Sequence, residues 1–388
     1  MANSRIRILH AIPGLRRTGG ISVWLRSVMQ QADPHRFQFD FLPKIYAGHE
    51  LGVSIEEEVL QHGGAIHRCP AMRRRFPYGG SLRRVLSRDY RIVHQHNICE
   101  GSVLLEAWRA NVSHRIAHVH NDVTSSLSKG VLPGRWLRRM QVVLARRFAT
   151  RGFACSDLVG RNYFGESWGQ DRRWELLFYG IDFDRFHLLE SRDAIRTDLQ
   201  IPRDRFVIGN VGRLQSQKNH PFLLRVFAEA CRTLPNLHLL LIGDGPDRAA
   251  IVRQIDALGV AARVTLAGAR GDVPRLLLGG MDLFFLPSLY EGLPIALLEA
   301  QAAGLHCLIS NVISNQTDVV PHLIHRLPLS DSAATWAQCL VQFATAPVPP
   351  SLRGDALRIM RDSPFSIQQS AKQLLDRYEA MAGHSDVR

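Results

Sequence analysis

Short apolar runs alternate along the chain with stretches in which apolar positions recur every three or four residues. Residues 6–12, 37–42, 91–94 and 116–119 read as strands in the first half. Residues 206–211, 237–242, 264–267, 283–286 and 307–309 read as strands in the second. Helical spacing lies between them, as in Phe222, Leu223, Val226, Phe227 and Ala230. This alternation predicts parallel sheets covered by helices. The pattern restarts at Phe206 after an irregular stretch over 180–205, so two doubly wound, Rossmann-like α/β domains are the simplest account. Ligands in such sheets bind at the carboxyl ends of the strands, and two domains facing each other would make a cleft. A last amphipathic helix is expected from Ser363 through Tyr378, with 383–388 frayed.

Composition narrows the class. A hydrophobic content of 46% is ordinary for a globular chain, and no apolar stretch is long enough for a membrane span. The first ten residues run into a strand without the longer apolar core of a signal peptide. The six cysteines, at 69, 99, 155, 231, 307 and 339, form no Cys-x-x-Cys pair, so a reducing cytoplasm is expected. The formal net charge of +13 is lopsided. Residues 1–190 hold 28 basic and 17 acidic side chains, a balance of +11, and the remainder hold 20 and 18, a balance of +2. The first half therefore attracts anions, whether a phosphorylated substrate or a membrane surface. No nucleic-acid reader motif accompanies the charge, and no nucleic-acid partner is expected.

Candidate chemistry gathers at predicted strand ends. Glu291 and Glu299 bracket Gly292-Leu293-Pro294 after the strand 283–286. Pro294 fits the first position of a helix that Gly304 would cap. Acids at a helix start favour its dipole, and they can also orient the hydroxyls of a bound sugar. The strand 206–211 ends in Gly212-Arg213-Leu214, with Lys218 shortly after. Gly212 permits close backbone approach, and two cations there could clamp a diphosphate or form an ordinary solvated turn. Gly243-Asp-Gly-Pro246 and Gly268 place further glycines at strand ends. In the first half Gly19-Gly20 precedes a helix, as a phosphate- or sugar-approach loop would. Neither a P-loop nor a dinucleotide fingerprint is present, which argues against an NAD-dependent oxidoreductase.

Two His-x-His pairs, His94/His96 and His118/His120, end strand-like runs, and each pair shares a strand face. A four-histidine metal site is conceivable, but the sequence offers no acidic ligand or supporting outer pattern. One histidine facing the cleft, with the others structural, is the preferred reading. Asp182-Phe-Asp184 mimics a metal-binding Asp-x-Asp and reads as a linker turn. Residues 134–148 form a basic amphipathic helix with Trp136, Leu137, Met140, Val143, Leu144 and Phe148 as a stripe flanked by arginines. Such a helix suits either core packing or docking on an anionic membrane.

Gly212-Arg213-Leu214, Lys218, Gly243-Asp-Gly-Pro246 and the Glu291-x7-Glu299 element together resemble family 4 retaining glycosyltransferases of the GT-B fold. Ile8-Leu-His, Gly19-Gly20, Phe37-Gln-Phe-Asp-Phe41 and Arg115-Ile-Ala-His-Val-His-Asn121 resemble exopolysaccharide-type members. The resemblance covers nearly the whole chain. It implies an acceptor-side domain over 1–185, a nucleotide-sugar domain over 186–362, and a helix over 363–388 packing back on the first. Arg213 and Lys218 would be catalytic and bind the donor diphosphate. Glu299 would bind the ribose. Glu291, Gly292, Leu293 and Pro294 would hold the donor sugar. Gly19, Gly20, Gly212 and Arg270 would complete the donor site. His120, or His118 if the register differs, would face the reacting centre. The implied reaction moves a hexose from a nucleotide-sugar donor, expected to be UDP-linked, to a lipid-linked or polysaccharide acceptor with retention, without a metal or other cofactor. The protein would work in the cytoplasm or at the inner face of its membrane. Loops 47–52 and 73–80 depart from the family pattern and would shape the acceptor site. The alternative is a non-catalytic GT-B shell that binds nucleotides or polyanions.

Overall fold

A computed structural model describes residues 5–15, 20–44, 55–69, 75–96, 101–120, 132–187, 189–346 and 351–383. Gly19 and the loop 47–52 lie outside them. The chain divides into two compact units, one of residues 1–180 and 367–388, the other of residues 181–366. Each unit contains one six-stranded sheet, and every strand pair in both is parallel.

In the first unit the strands are β1 (Ile6–Ile12), β2 (Phe37–Pro43), β3 (Ile92–Gln95), β4 (His114–Val119), β5 (Arg151–Ala154) and β6 (Trp174–Leu176). Their order in the sheet is β2-β1-β3-β4-β5-β6. In the second they are β7 (Phe206–Val211), β8 (Leu237–Ile242), β9 (Val264–Gly268), β10 (Leu283–Leu286), β11 (His306–Ser310) and β12 (Ile324–Leu327), ordered β12-β11-β10-β7-β8-β9. Each order reverses direction once, between β1 and β3 and between β7 and β10. Such a reversal splays the following loops apart and opens a crevice at the carboxyl ends of the two strands.

The central strands are buried on both faces, which is why they read as unbroken apolar runs. Strands β5, β6 and β12 escape that reading. They are three or four residues long, and β12 is only half-buried at a sheet edge. In the second unit Phe222, Phe227, Phe285 and Trp336 lock one helical layer onto the sheet.

Several local expectations are corrected. Pro294 is not helical: it caps the helix Ile295–Ala302 from outside at φ −76°, ψ 90°. Its carbonyl accepts from the Leu297 N–H at 2.9 Å, so the helix begins one residue later than proline's N1 preference suggests. Gly304 stands just beyond the cap residue Ala303, at φ +68°. Most of the segment 73–80 is not loop but the start of the helix Arg75–Leu86, whose first turn tolerates Pro77. The basic helix Leu132–Phe148 buries Gln141, Val142 and Ala145 rather than the expected stripe. Gly101 is the cause. A Cβ there would lie 2.1 Å from the Gln141 carbonyl oxygen, so its absence lets the helix Gly101–Arg109 press on that face. Trp136 and Val143 are left 66% and 61% exposed.

Beneath the first sheet's edge, the buried Asp40 carboxylate accepts from Tyr90 Oη at 2.6 Å, the Ala65 N–H at 2.8 Å, Gln38 Nε2 at 3.0 Å and Arg7 Nη2 at 3.1 Å. Burial pushes its pKa up, and the bonds from His67, Tyr90, Gln38 and Ala65 outweigh that and hold it well below the ordinary range. A depressed carboxyl stabilises the fold above its unfolded pKa of ~3.9 and loses that contribution as pH falls. Asp40→Asn should therefore cost about 2–4 kcal/mol at pH 7. In urea unfolding the gap to wild type should narrow by pH 3.5, and an equal gap at both pH values would count against this account.

Candidate active site

In the second unit the crevice between β7 and β10 holds the acids and cations singled out in the sequence. After β7 the chain turns through Gly212 and Arg213 into the short 3-10 turn Ser216–Lys218. Asn219, in the left-handed region at φ 54°, then redirects it into the helix His220–Thr233. Its side-chain amide donates to the Pro287 carbonyl at 3.1 Å, tying this turn to the segment after β10. The Leu289 N–H donates to the Gln217 carbonyl at 2.8 Å and makes a second tie.

Within that frame Lys218 and Glu291 meet. Lys218 Nζ lies 2.7 Å from Glu291 Oε1, and both side chains are buried. Ser288 Oγ donates to the same oxygen at 2.6 Å, and Gln217 Nε2 donates to Oε2 at 3.0 Å. Ser288 is itself fixed, since its carbonyl accepts from Ser310 Oγ at 2.7 Å. A buried ion pair is stable only when its remaining lone pairs are met, and here both carboxylate oxygens are bonded. An ammonium has three donors, so the bond to Glu291 leaves Lys218 donors for a ligand. Arg213 is exposed and makes no ion pair among the described residues.

Glycine makes room for this arrangement. A Cβ on Gly212 would sit 2.7 Å from Lys218 Cε. Gly243, at φ +142°, packs so closely that a Cβ would lie 1.9 Å from the Gly212 carbonyl oxygen. The turn after β8 is thereby pressed against the turn after β7, and the Leu214 N–H donates to the Asp244 carbonyl at 3.1 Å.

The other sequence candidates are placed as follows. Gly292, Leu293 and Pro294 are buried just ahead of the helix Ile295–Ala302. Glu299 lies in that helix, partly exposed. Burial of its carboxyl pushes its pKa up to about 7, and Arg185 opposes the shift. Arg270 is engaged by Asp272 through two 2.8 Å bonds at the far end of the same sheet. Asp182 accepts from the Asp184 N–H at 3.1 Å, so the Asp-x-Asp caps its own turn. His220, unremarked as chemistry in the sequence, is buried beside Lys218 with neither ring nitrogen bonded, and burial lowers its pKa to about 4. Ser288 and Gln217 also carry no sequence signal beyond their nearness to Glu291 and Lys218.

The first unit has its own polar cluster at its own reversal. His94 and His96 at the end of β3 and His118 and His120 at the end of β4 share one face of the sheet, and His10 of β1 joins them. His10 lies within β1 and carried no chemical signal of its own in the sequence; the parallel register, which sets it beside His94, reveals the group. Gly20, by contrast, begins the helix Gly20–Gln31 and is exposed. The rings connect through His10 Nδ1 to His96 Nε2 at 3.0 Å, His96 Nδ1 to His120 Nε2 at 3.0 Å, and His94 Nε2 to His118 Nδ1 at 3.1 Å. His120 Nδ1 is bonded to the Tyr179 hydroxyl, and His94 Nδ1 to that of Tyr378 at 2.5 Å. Trp24 and Tyr378 close over the rings from the helices Gly20–Gln31 and Ile367–Gly383. Burial lowers the pKa of His10 and of His120 to about 3 and holds the other three well below the ordinary value, so all five are neutral.

Residues 191–333 match the family model described as Glycosyl transferases group 1. Over 388 residues, 97% of each chain, the protein is 31% identical to EpsF of Bacillus subtilis (strain 168), named as a glycosyltransferase. It is also 31% identical over 248 residues to the UDP-Gal:alpha-D-GlcNAc-diphosphoundecaprenol alpha-1,3-galactosyltransferase of Escherichia coli, covering 61% of this chain and 62% of that one. Among solved structures, HepE of Anabaena in complex with UDP and glucose aligns with a TM-score of 0.77 at 17% identity, covering 97% of this chain and all of that one. Two six-stranded parallel sheets and this likeness establish the GT-B fold. The chain belongs to the group 1 glycosyltransferases.

Proposed function

We propose that the protein transfers a hexose from a UDP-sugar to a lipid-linked or glycan acceptor in cell-surface polysaccharide synthesis, with retention and without a metal at the donor. The observation that carries the reading is the Lys218–Glu291 pair fixed at the reversal of the second sheet, with exposed Arg213 on the same turn after β7 as Lys218. The relatives agree in class: the Escherichia coli enzyme is named for a UDP-sugar and a diphosphoundecaprenol acceptor, and HepE was solved with UDP and glucose.

Arg213 and Lys218 would take the donor diphosphate and neutralise the charge that builds on the leaving phosphate, the task a divalent ion performs elsewhere. Glu291, buried and held by three donors, would present its carboxylate to the sugar with little freedom to turn away. Front-face substitution lets the leaving phosphate take the acceptor proton, so no protein base is needed. His120, with both ring nitrogens occupied, enters as a fixed neutral imidazole and not as a base.

Lys218→Ala and Glu291→Ala should each lower transfer by about 10²-fold or more. Each also strands a buried charge, so the paired variant Lys218→Met/Glu291→Gln separates folding from chemistry. It should keep a melting temperature near wild type and still lose transfer. Wild-type turnover in both alanine variants would sink the assignment. UDP binding with no transfer to any lipid-linked or glycan acceptor would favour a non-catalytic binding protein.

Glu299 gives a pH test. A carboxyl raised to about 7 in the fold binds its proton more tightly there than in the unfolded chain, so stability is present below the unfolded value of ~4.3 and declines as pH rises towards 7. Glu299→Gln should therefore gain more melting temperature over wild type at pH 8 than at pH 5. It should also weaken UDP binding at pH 8, where the ionised carboxylate would accept from the ribose hydroxyls. An equal effect at both pH values in thermal shift would remove Glu299 from this role.

The acceptor end of the reading rests on the helix Leu132–Phe148. It carries five arginines and no acid, and it exposes Trp136, Leu137 and Val143. Trp108, half-exposed, extends the patch beside Phe148. Aromatic and basic side chains on one exposed face fit an anionic lipid surface, with each arginine worth ~1 kcal/mol near it. Trp136→Ala with Arg139→Glu should abolish sedimentation with phosphatidylglycerol vesicles while leaving UDP binding intact. Equal sedimentation of variant and wild type would place the membrane contact elsewhere.

A further inference from the structure

We infer that His96, His118 and His120 form a transition-metal site in the first unit, taking an imidazole-preferring ion such as zinc, nickel or copper(II). One ring nitrogen of each lies within 4.8 Å of the others. All three side chains are buried, and His118 Nε2 has no hydrogen-bond partner. A buried polar atom left unbonded is costly and calls for a physical reason, of which an ion is one.

The outer bonds sort the ring atoms. His118 Nδ1 is taken by His94, His120 Nδ1 by Tyr179 and His96 Nε2 by His10. That leaves His118 Nε2, His120 Nε2 and His96 Nδ1 as the inward atoms, and the last two already meet at 3.0 Å. A metal-bound histidine ordinarily gives its other ring N–H to a fixed partner that sets tautomer and ring angle. Here all three have one. Each distal N–H can donate: His118 to His94, His120 to the Tyr179 oxygen, His96 to His10. Small ring rotations that part His96 from His120 would admit an ion at imidazole bonding distance, ~2.0–2.1 Å for zinc. Burial keeps the imidazoles neutral, the form that ligates. The donor set lacks carboxylates, so magnesium and calcium are excluded on chemistry. Three histidines leave a fourth position for water or an anion. The ligands all belong to the first unit, whereas the cations proposed for the donor diphosphate, Arg213 and Lys218, belong to the second.

The test uses the full-length chain without a histidine tag. Metal analysis after purification, and again after dialysis against zinc, should give about one equivalent per chain. Cobalt(II) should give the ligand-field bands of a tetrahedral imidazole site. Zinc at about 100 times its Kd should raise the melting temperature by on the order of 5 °C, and magnesium should not. His118→Gln should lose the metal while retaining UDP binding in the second unit. His10→Gln, which removes only an outer partner, should weaken affinity about 10–100-fold. Wild type that stays folded yet holds under about a tenth of an equivalent after zinc, without a thermal shift, would overturn the site. Full zinc occupancy in His118→Gln would overturn it equally.

Discussion

Everything chemical in this protein depends on one topological constraint. All strands in each sheet are parallel, so every carboxyl end lies along one edge, and the strand order reverses once. Between β1 and β3, and between β7 and β10, successive loops leave in opposite directions. A crevice opens there at the carboxyl ends of the two strands. Two groups of buried polar side chains lie at or beside those places. Five histidines gather near one, and Lys218, Glu291, Ser288 and Gln217 gather at the other.

The two clusters settle their desolvation differently. At the second reversal, an ammonium meets a carboxylate and both carboxylate oxygens have donors. At the first, burial wins outright and the imidazoles give up their protons. Neutral rings can donate to one another only in a directed chain, each giving one N–H and accepting one. The chain from Tyr179 through His120 and His96 to His10 has that form, and it ends on a nitrogen with no partner. Burying these rings carries a desolvation cost that apolar side chains would not incur.

Much of this was legible in the sequence, and what was not has physical causes. Long central strands buried on both faces announce themselves, and β1, β7, β8 and β10 match their predicted limits. The edge strand β12 and the very short β5 and β6 carry too few residues for periodicity to separate from loop. Strand-end placement identified Lys218 and Glu291, but their direct pairing could not be read, because it depends on β7 and β10 being neighbours despite 73 residues between the two side chains. His10 was hidden for the same reason: adjacency across a parallel sheet is register, not spacing. The basic helix misled in the opposite way. Its apolar residues form a stripe, but Gly101 selects a different face for burial, and a close backbone approach outweighs a larger apolar area.

The Lys218–Glu291 pair also bears on the energetics of the proposed donor site. A cation for a diphosphate and a carboxylate for a sugar would each be costly to hold alone in a buried crevice. Bonded to each other they keep the crevice stable without a ligand, and neither is used up. The ammonium keeps two further N–H directions. In the proposed role the carboxylate would exchange the Gln217 bond for a sugar hydroxyl while Ser288 and Lys218 hold its other oxygen. Binding would then add partners to charges already fixed in place, so little reorganisation is spent, which is the condition under which electrostatics contributes most to a transition state.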